Sequence, residues 1–491
     1  MRRYGNIDLK RSMYEGVFAH MFATLTGGVF LTGFAIHLGM DEFTIGLLAS
    51  LPFLVTVFQI PASHIMGKNG RRKKYWFWGS AIARITWIPI LIVALLPGAS
   101  YSIKISIILI LVFFSYSCNS VSSISWLSLM SDLVPDGIRG HFFGTRNMLC
   151  GAAGLVAMLF FGNFLDYMKN HSNGMLPLGF SITFISAVSF GVLGLYFVKR
   201  ISDPQVERCG DRHSFRENLT IPFRETNFRN FLIYGFCWSF SVHFAAPFFT
   251  LYFLRDLKFS YGFVAALGIM SALADMAGMR LWGKISDKVK NRPIIQLGSW
   301  IAAFIPIVWI IVKPGSVIIP ILINTISGGF WAGINLCTSN LLLRISPQEN
   351  KAPFLSLYNT AGGLGAAAAP ILSGFALMII AGKDLTFLPG EMLPMHVIFV
   401  VSTALRLLSL QFFKRVHEPE EADVGQLVRV LRNIRGLNVA AGFNYLLHPF
   451  IEFARNGMRN GSDKNAGKRE TTVEHDGFVR LKVAERECKA S

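Results

Sequence analysis

Three charges stand where a membrane makes charge expensive. Asp275, Arg84 and Arg406 each fall inside a long apolar stretch. An ionised side chain at the centre of a bilayer costs about 2.5–3.5 kcal/mol even on lenient insertion scales. Asp275 reads as the only acid well inside any such stretch, with Glu15 and Asp166 at the ends of theirs. A lone carboxyl there can take up a proton, because desolvation favours its neutral form. Proton binding at Asp275 would then couple to transport; the alternative is an ion pair with Arg280 or Arg406 that only holds helices together. Arg84 has no acid at matching depth in its own half of the chain by this reading. That leaves it backbone carbonyls, snorkelling to the headgroups, or an anionic solute.

Polar and aromatic residues recur at helical spacing, where i, i+4, i+7 and i+11 share a face. One stripe is Asn324, Gly328, Trp331, Asn335 and Thr338; another is Ser115, Asn119, Ser122 and Trp126. A third is Tyr234, Trp238 and Ser241 with His243 close by, and a fourth is His20, Thr24, Gly27 and Leu31. Buried amides and indoles suit a neutral, hydrogen-bonding solute with an apolar face, such as a sugar or another small polar organic molecule. The competing reading is packing, since small and polar residues also join helices in bilayers. His20 and His243 read first as packed, hydrogen-bonded histidines and only second as proton relays.

The elements that must position these residues are membrane helices. Of 491 residues, 52% are hydrophobic and only 15% charged, against roughly 25% charged in soluble domains. With Phe at 43 positions, this argues against a soluble enzyme, a disordered chain and a coiled coil. A helix needs about 20 mostly apolar residues to cross the hydrocarbon. Twelve stretches qualify, at roughly 15–39, 43–66, 75–97, 103–129, 147–168, 178–199, 231–254, 261–282, 293–313, 317–342, 355–381 and 396–413. The six cysteines are scattered without metal-like spacing, so neither a disulfide framework nor a metal or other cofactor is expected. No GxSxG, His-rich metal motif or phosphate-cradling Gly loop supports an enzyme.

The net charge of +18 raises nucleic-acid binding, but the positions decide against it. Alternate loops hold almost all the Lys and Arg, while the others hold only Lys104, Lys169, Arg255, Lys258, Lys313 and Lys383. By the positive-inside rule both termini are cytoplasmic. The chain also repeats. Gly67-Lys-Asn-Gly70-Arg71-Arg72 recurs as Asp287-Lys288-Val-Lys-Asn-Arg292; Phe30 and Leu38 match Phe249 and Leu257; Pro135, Asn147 and Gly151 match Pro347, Asn359 and Gly363. The reading is two six-helix halves, 1–200 and 230–415, a cytoplasmic linker at 201–229 and a tail at 416–491. Parallel repeats place a substrate site between halves near the midplane.

Over about 1–415 the sequence resembles the major facilitator superfamily. Its most specific element, Gly283-Lys-Ile-Ser-Asp287-Lys288-Val-Lys-Asn-Arg292-Pro293, is similar to that family's G-x-x-x-D-R-x-G-R-R loop. The first copy keeps Gly70, Arg71 and Arg72 but has Ser63 for the first Gly and Gly67 for the acid. The segment from Ser131 to Asn147 is similar to a turn in bacterial members. The resemblance implies an all-α membrane fold, a carrier that rocks between two states, and a cytoplasmic latch resting here mainly on Asp287. It also implies that spans one, four, seven and ten line the cavity. Thr24, Asn119, Trp126, Trp238, His243, Asn324, Trp331 and Asn335 then become the candidate substrate contacts. A monomer in a bacterial inner membrane is implied too. Drug–proton antiport is disfavoured, because no basic residue lies between Lys104 and Arg139 and span five lacks a Gly-Pro pattern.

In the tail, Val424, Leu427, Val428, Leu431 and Ile434 make an apolar face with Arg429, Arg432 and Arg435 interleaved, which reads as an amphipathic helix on the inner leaflet. A non-transporting receptor or scaffold that signals through this tail is the alternative to a carrier.

Overall fold

The structure, a computed structural model, describes residues 2–59, 61–62, 65–66, 71–96, 100–135, 138–171, 175–203, 223–346, 351–380 and 393–418. Contacts divide the chain into a compact unit, Met1–Leu427, and a second, Val428–Ser491. The second unit, with the tail helix expected at 424–435, lies outside the described residues, as do most of the linker and Gly67–Gly70.

Helices carry the fold because lipid offers backbone N–H and C=O groups no water, so each segment must satisfy its own. The first span is α1 (Arg2–Leu25) and α2 (Gly28–His37), and α3 (Glu42–Leu54) runs on into a 3-10 turn at Val55–Phe58. The third span is α4 (Arg72–Ile85) with α5 (Trp87–Leu95). Then follow α6 (Tyr101–Leu133), α7 (Arg139–His171) and α8 (Leu176–Arg200). The later helices are α9 (Thr226–Leu251, ending in a π turn at Tyr252–Asp256), α10 (Tyr261–Val289), α11 (Arg292–Ile310), α12 (Ile318–Ile345), α13 (Lys351–Ile380) and α14 (Pro394–Phe413). Among the described residues there is no strand.

The breaks have local causes. Gly28 takes φ +49 with nothing near its missing side chain, so backbone conformation, and not space, calls for glycine between α1 and α2. Pro89 cannot donate to Ile85, and its ring crowds that carbonyl, which ends α4 at Ile85. Pro52 removes a backbone bond in the same way inside α3. Among the described residues eleven helical stretches are long and apolar enough to cross a membrane, and in the second span Glu42–Phe58 is a shorter apolar helix, with residues 59, 61–62 and 65–66 helical as well.

Large apolar side chains face outward along the bundle, including Phe160 at 64% and Ile318 at 73% exposure. A soluble monomer would not leave such a belt bare; hydrocarbon covers it. Inside, Phe34 meets Phe184 edge to face and Trp87 packs on the same ring, while in the later helices Phe399 stacks on Phe249 and meets Tyr252 edge to face. Within the earlier helices, α1 packs on α7 and α8, and α4 on α6. Within the later ones, α9 packs on α13 and α14, and α10 on α12. The two groups meet chiefly through α3 with α13 and α7 with α10. The bundle has a terminal end, where α1 begins and α14 finishes, and a distal end, which holds the turns at 38–41 and 257–260.

Candidate functional site

Helix α1 begins at Arg2, so Glu15 stands more than three turns inside it and not at a span's edge. Glu15 is 3% exposed and pairs with Arg84, Nη2 to Oε1 at 3.0 Å. Arg84 therefore does have an acid in its own half, contrary to the sequence reading. Its Nη1 donates to the carbonyl of Gly191 at 2.6 Å. The arginine's shaft lies so close to Gly191 and Gly194 that a Cβ there would come within 2.8 and 3.0 Å of it. Glycine in α8 makes room for a cation from α4.

A second arginine, Arg146 of α7, approaches the same carboxylate at 3.6 Å through Nη2. Its Nε donates to the Ser12 carbonyl at 3.4 Å, and its guanidinium carbon sits 4.2 Å above the ring of Trp126. Gly16 leaves the space, since a Cβ there would meet Arg146 at 2.6 Å. The Trp126 indole N–H is buried without a hydrogen-bond partner among the described residues. Thr24 and His20 continue this face of α1 and abut Gly154 of α7.

Arg406, 3% exposed, donates to the Ala302 carbonyl at 2.7 Å and thus ties α14 to α11. Arg84 ties α4 to α8, so one arginine bridges the third and sixth spans and another the ninth and twelfth. Asp275 is half-buried and forms no ion pair with Arg280, Arg406 or any other described residue. The structural alternative for Asp275 loses its partners. Around it α10 lies tight on α12: Trp282 Nε1 donates to the Gly329 carbonyl at 2.8 Å, and a Cβ on Gly278 would meet that carbonyl at 2.7 Å.

The polar stripes divide. In α6, Ser115 donates to the Ala83 carbonyl and Ser122 bonds Ser80 and the Trp76 carbonyl, so both serve packing on α4. Asn119 on the same helix is exposed and Trp126 half-buried. In α9, Tyr234 bonds Ser299, and the Ser241 carbonyl accepts from Ser402. Trp238 stacks on Tyr234 and meets Trp331 of α12 at 5.9 Å between ring centroids. His243 bonds the Ser239 carbonyl at 2.8 Å and packs edge-on against Phe53 of α3, 4.7 Å away. In α12, Gly328 lies against the Ser271 carbonyl, Asn324 bonds its own Pro320 carbonyl, and Asn335 is exposed.

At the distal end the two groups are bolted together. Asp166 of α7 accepts from the backbone N–H groups of Tyr261 and Gly262 at 2.8 and 2.7 Å, capping the start of α10. Arg255 pairs with Glu42 at 2.5 Å. A Cβ on Gly46 would overlap the Pro370 carbonyl, and one on Gly374 would sit 2.9 Å from the Glu42 carbonyl. Where both partners are described residues, the hydrogen bonds and ion pairs between the groups lie at this end.

The terminal end is held within each group. Glu418, after α14, accepts from the backbone N–H groups of Asn291 and Arg292 at 2.8 Å and from Arg344 at 3.1 Å, capping α11. Asp203, after α8, lies close to Lys73 at the start of α4. Burial pushes its carboxyl upward, against the pull of Lys73. Neither acid was singled out in the sequence, although Ser202-Asp203-Pro204 and His417-Glu418-Pro419 echo each other. Arg72 donates to the Ser128 carbonyl at 3.1 Å, Arg71 just precedes α4, and Gly70 lies outside the described residues. Gly283 faces Leu336, and Arg292 donates to the Lys414 carbonyl. Asp287 and Lys288 are exposed, and Asp287 pairs with no described residue across the groups.

Solved structures share this architecture. A point mutant of the nucleoside transporter NupG superposes with a TM-score of 0.66 at 11% identity, covering 84% of this chain and 100% of that one. The xylose transporter XylE from E. coli, in an inward-open conformation, gives 0.60 at 13% identity, with 87% and 99% covered. A bacterial homologue of the iron transporter ferroportin, inward-facing, gives 0.62 at 11% identity, with 85% and 100% covered. No curated protein sequence matches the chain. The sequence profile of the Major Facilitator Superfamily, however, matches residues 16–370. With that match and this fold, the chain belongs to the Major Facilitator Superfamily of membrane transporters.

Proposed function

We propose that the protein is a secondary carrier that moves a small organic solute by alternating access, and that the conformation described opens toward the cytoplasm. The observation that carries this reading is the fastening of the two groups to each other at the distal end. Asp166, Glu42, Gly46 and Gly374 join them at the distal end, while Asn119, Trp331 and Asn335 stand uncovered or half-covered along the helices between. The terminal end is the cytoplasmic one by its Lys and Arg content. The membrane in this reading is a bacterial inner membrane with both termini inside. A monomer suffices, since each half of the proposed site lies on one chain.

Asp275 is the proposed coupling group. A half-buried carboxyl without a partner charge gains little from staying ionised, so proton uptake and release there cost little. The test is solute exchange in proteoliposomes loaded with an isotope-labelled metabolite extract and read by mass spectrometry. Exchange of one solute class, abolished by Asn335→Ala or Trp331→Ala with insertion intact, supports the carrier. Asp275→Asn should keep exchange but stop accumulation driven by a pH gradient. Absence of exchange for every solute would favour the receptor reading.

A further inference from the structure

We propose that Arg146, seated on Trp126, is the substrate's charge anchor, so that the transported solute carries a carboxylate or phosphate group; this rests on the carrier reading. The charges in the cluster of α1, α4 and α7 do not balance. Two buried or nearly buried arginines share the single carboxylate of Glu15, which leaves one positive charge uncompensated. Arg84 holds that carboxylate at hydrogen-bond distance and donates with its other terminal nitrogen to Gly191. Arg146 stands off at 3.6 Å, beyond a true hydrogen bond, and its Nη1 bonds no described residue. Its side chain keeps 13% exposure, so one edge of the fork is open.

The surroundings suit an oxyanion. A planar guanidinium matches a carboxylate or phosphate with two parallel N–H donors. Trp126 fixes the plane from below at 4.2 Å and brings a buried indole N–H with no partner of its own among the described residues. Arg146 lies at the junction of α1, α6 and α7, against Gly16 and Trp126, on the helices whose stripes, with exposed His20 and Asn119, the carrier reading assigns to the cavity. Leaving a cation there unmatched is costly in low dielectric, and an arriving anion completes the balance. Arg84, the arginine singled out by sequence for this task, is already satisfied by Glu15 and Gly191.

The experiment uses the full-length chain in nanodiscs of neutral phosphatidylcholine. Thermal unfolding is followed with benzoate, lactate, succinate and glycerol phosphate, each against its neutral counterpart: benzamide, lactamide, succinamide and glycerol. At least one anion should stabilise the wild type while its neutral counterpart does not. Arg146→Gln should weaken that anion by about tenfold or more, with Arg146→Lys intermediate and the remote Arg280→Gln unchanged. Should Arg146→Gln fail to fold, Trp126→Phe supplies the reading, with weaker anion binding expected. Stabilisation by neutral solutes alone, or by anions equally in Arg146→Gln, overturns the inference, as does an effect seen only with phosphatidylglycerol in the disc, which would make the site one for a lipid headgroup. Exchange of a neutral solute in proteoliposomes would refute the anion while leaving the carrier standing; no exchange of any solute removes both.

Discussion

Glu15 sets the electrostatics of the first six spans. Its carboxylate is the only counter-charge of both Arg84 and Arg146 among the described residues, and it is 3% exposed. Removing one partner of a buried pair strands the other, at a cost of about 3–5 kcal/mol. Glu15→Gln, which strands two arginines, should therefore lower the detergent unfolding temperature strongly, whereas Arg84→Met with Glu15→Leu together, which strands only Arg146, should lose less. Equal losses for the single and double changes would mean that water already solvates the arginines. Asp203 tests pH at the same scale. Its carboxyl is held above the ordinary aspartate range by burial, so the neutral form is favoured on folding. The stability it contributes is present below the ordinary aspartate pKa and fades as pH rises through the elevated one. Asp203→Asn should flatten stability across that mildly acidic window, by a small amount because the side chain is largely exposed.

At the scale of elements, the distal seal is a contact of backbones. Gly46 and Gly374 let α3 and α13 touch so closely that a methyl group on Gly46 would overlap a carbonyl oxygen. No side-chain rotation relieves that overlap, so Gly46→Ala must part the helices. It should slow exchange and expose an Ala369→Cys thiol, at a position now fully buried beside Pro370, to a reagent added from the distal side. Asp166→Ala removes the cap that α7 lends to α10. Lost caps cost about 0.5–2 kcal/mol, which shifts a two-state equilibrium several-fold toward distal opening. An unchanged labelling rate in both variants would show that the seal rests elsewhere.

For the whole molecule, the expected boundary between the indispensable chain and the dispensable is Glu418, the last of the described acids. Glu418 has no side-chain exposure and closes the start of α11 from beyond α14. A chain ended after Asp423 should insert, fold and exchange solute as the full chain does, while one ended after Arg415 should lose the cap and unfold at lower temperature. Signalling through the tail would instead leave the longer truncation folded but inert in the cell. The repeat visible in sequence has a counterpart here: Asp203 meets the start of α4 as Glu418 meets the start of α11.

Much of this was legible before any coordinates. Apolar length and the spacing of Lys and Arg are one-dimensional signals, so the membrane helices and their order followed from them directly, while the family rested on the resemblance of the 283–293 loop. Gly28, Pro52 and Pro89 act on their own backbone, which is why breaks near them have local explanations. Which stripe faces a neighbour and which faces open space is not a local property. Ser115 and Asn119 sit one helical turn apart, yet the first is bonded to α4 and the second is uncovered. Arg84 and Glu15 lie 69 residues apart and are joined only because glycines in α8 admit the arginine's shaft. Sequence by itself determined the solvent and the helices, since each depends on composition along the chain, and pointed to the family through the 283–293 motif. Tertiary structure alone decided which charges neutralise one another and which remains unmatched, because a buried charge is read only against every neighbour within a few ångströms.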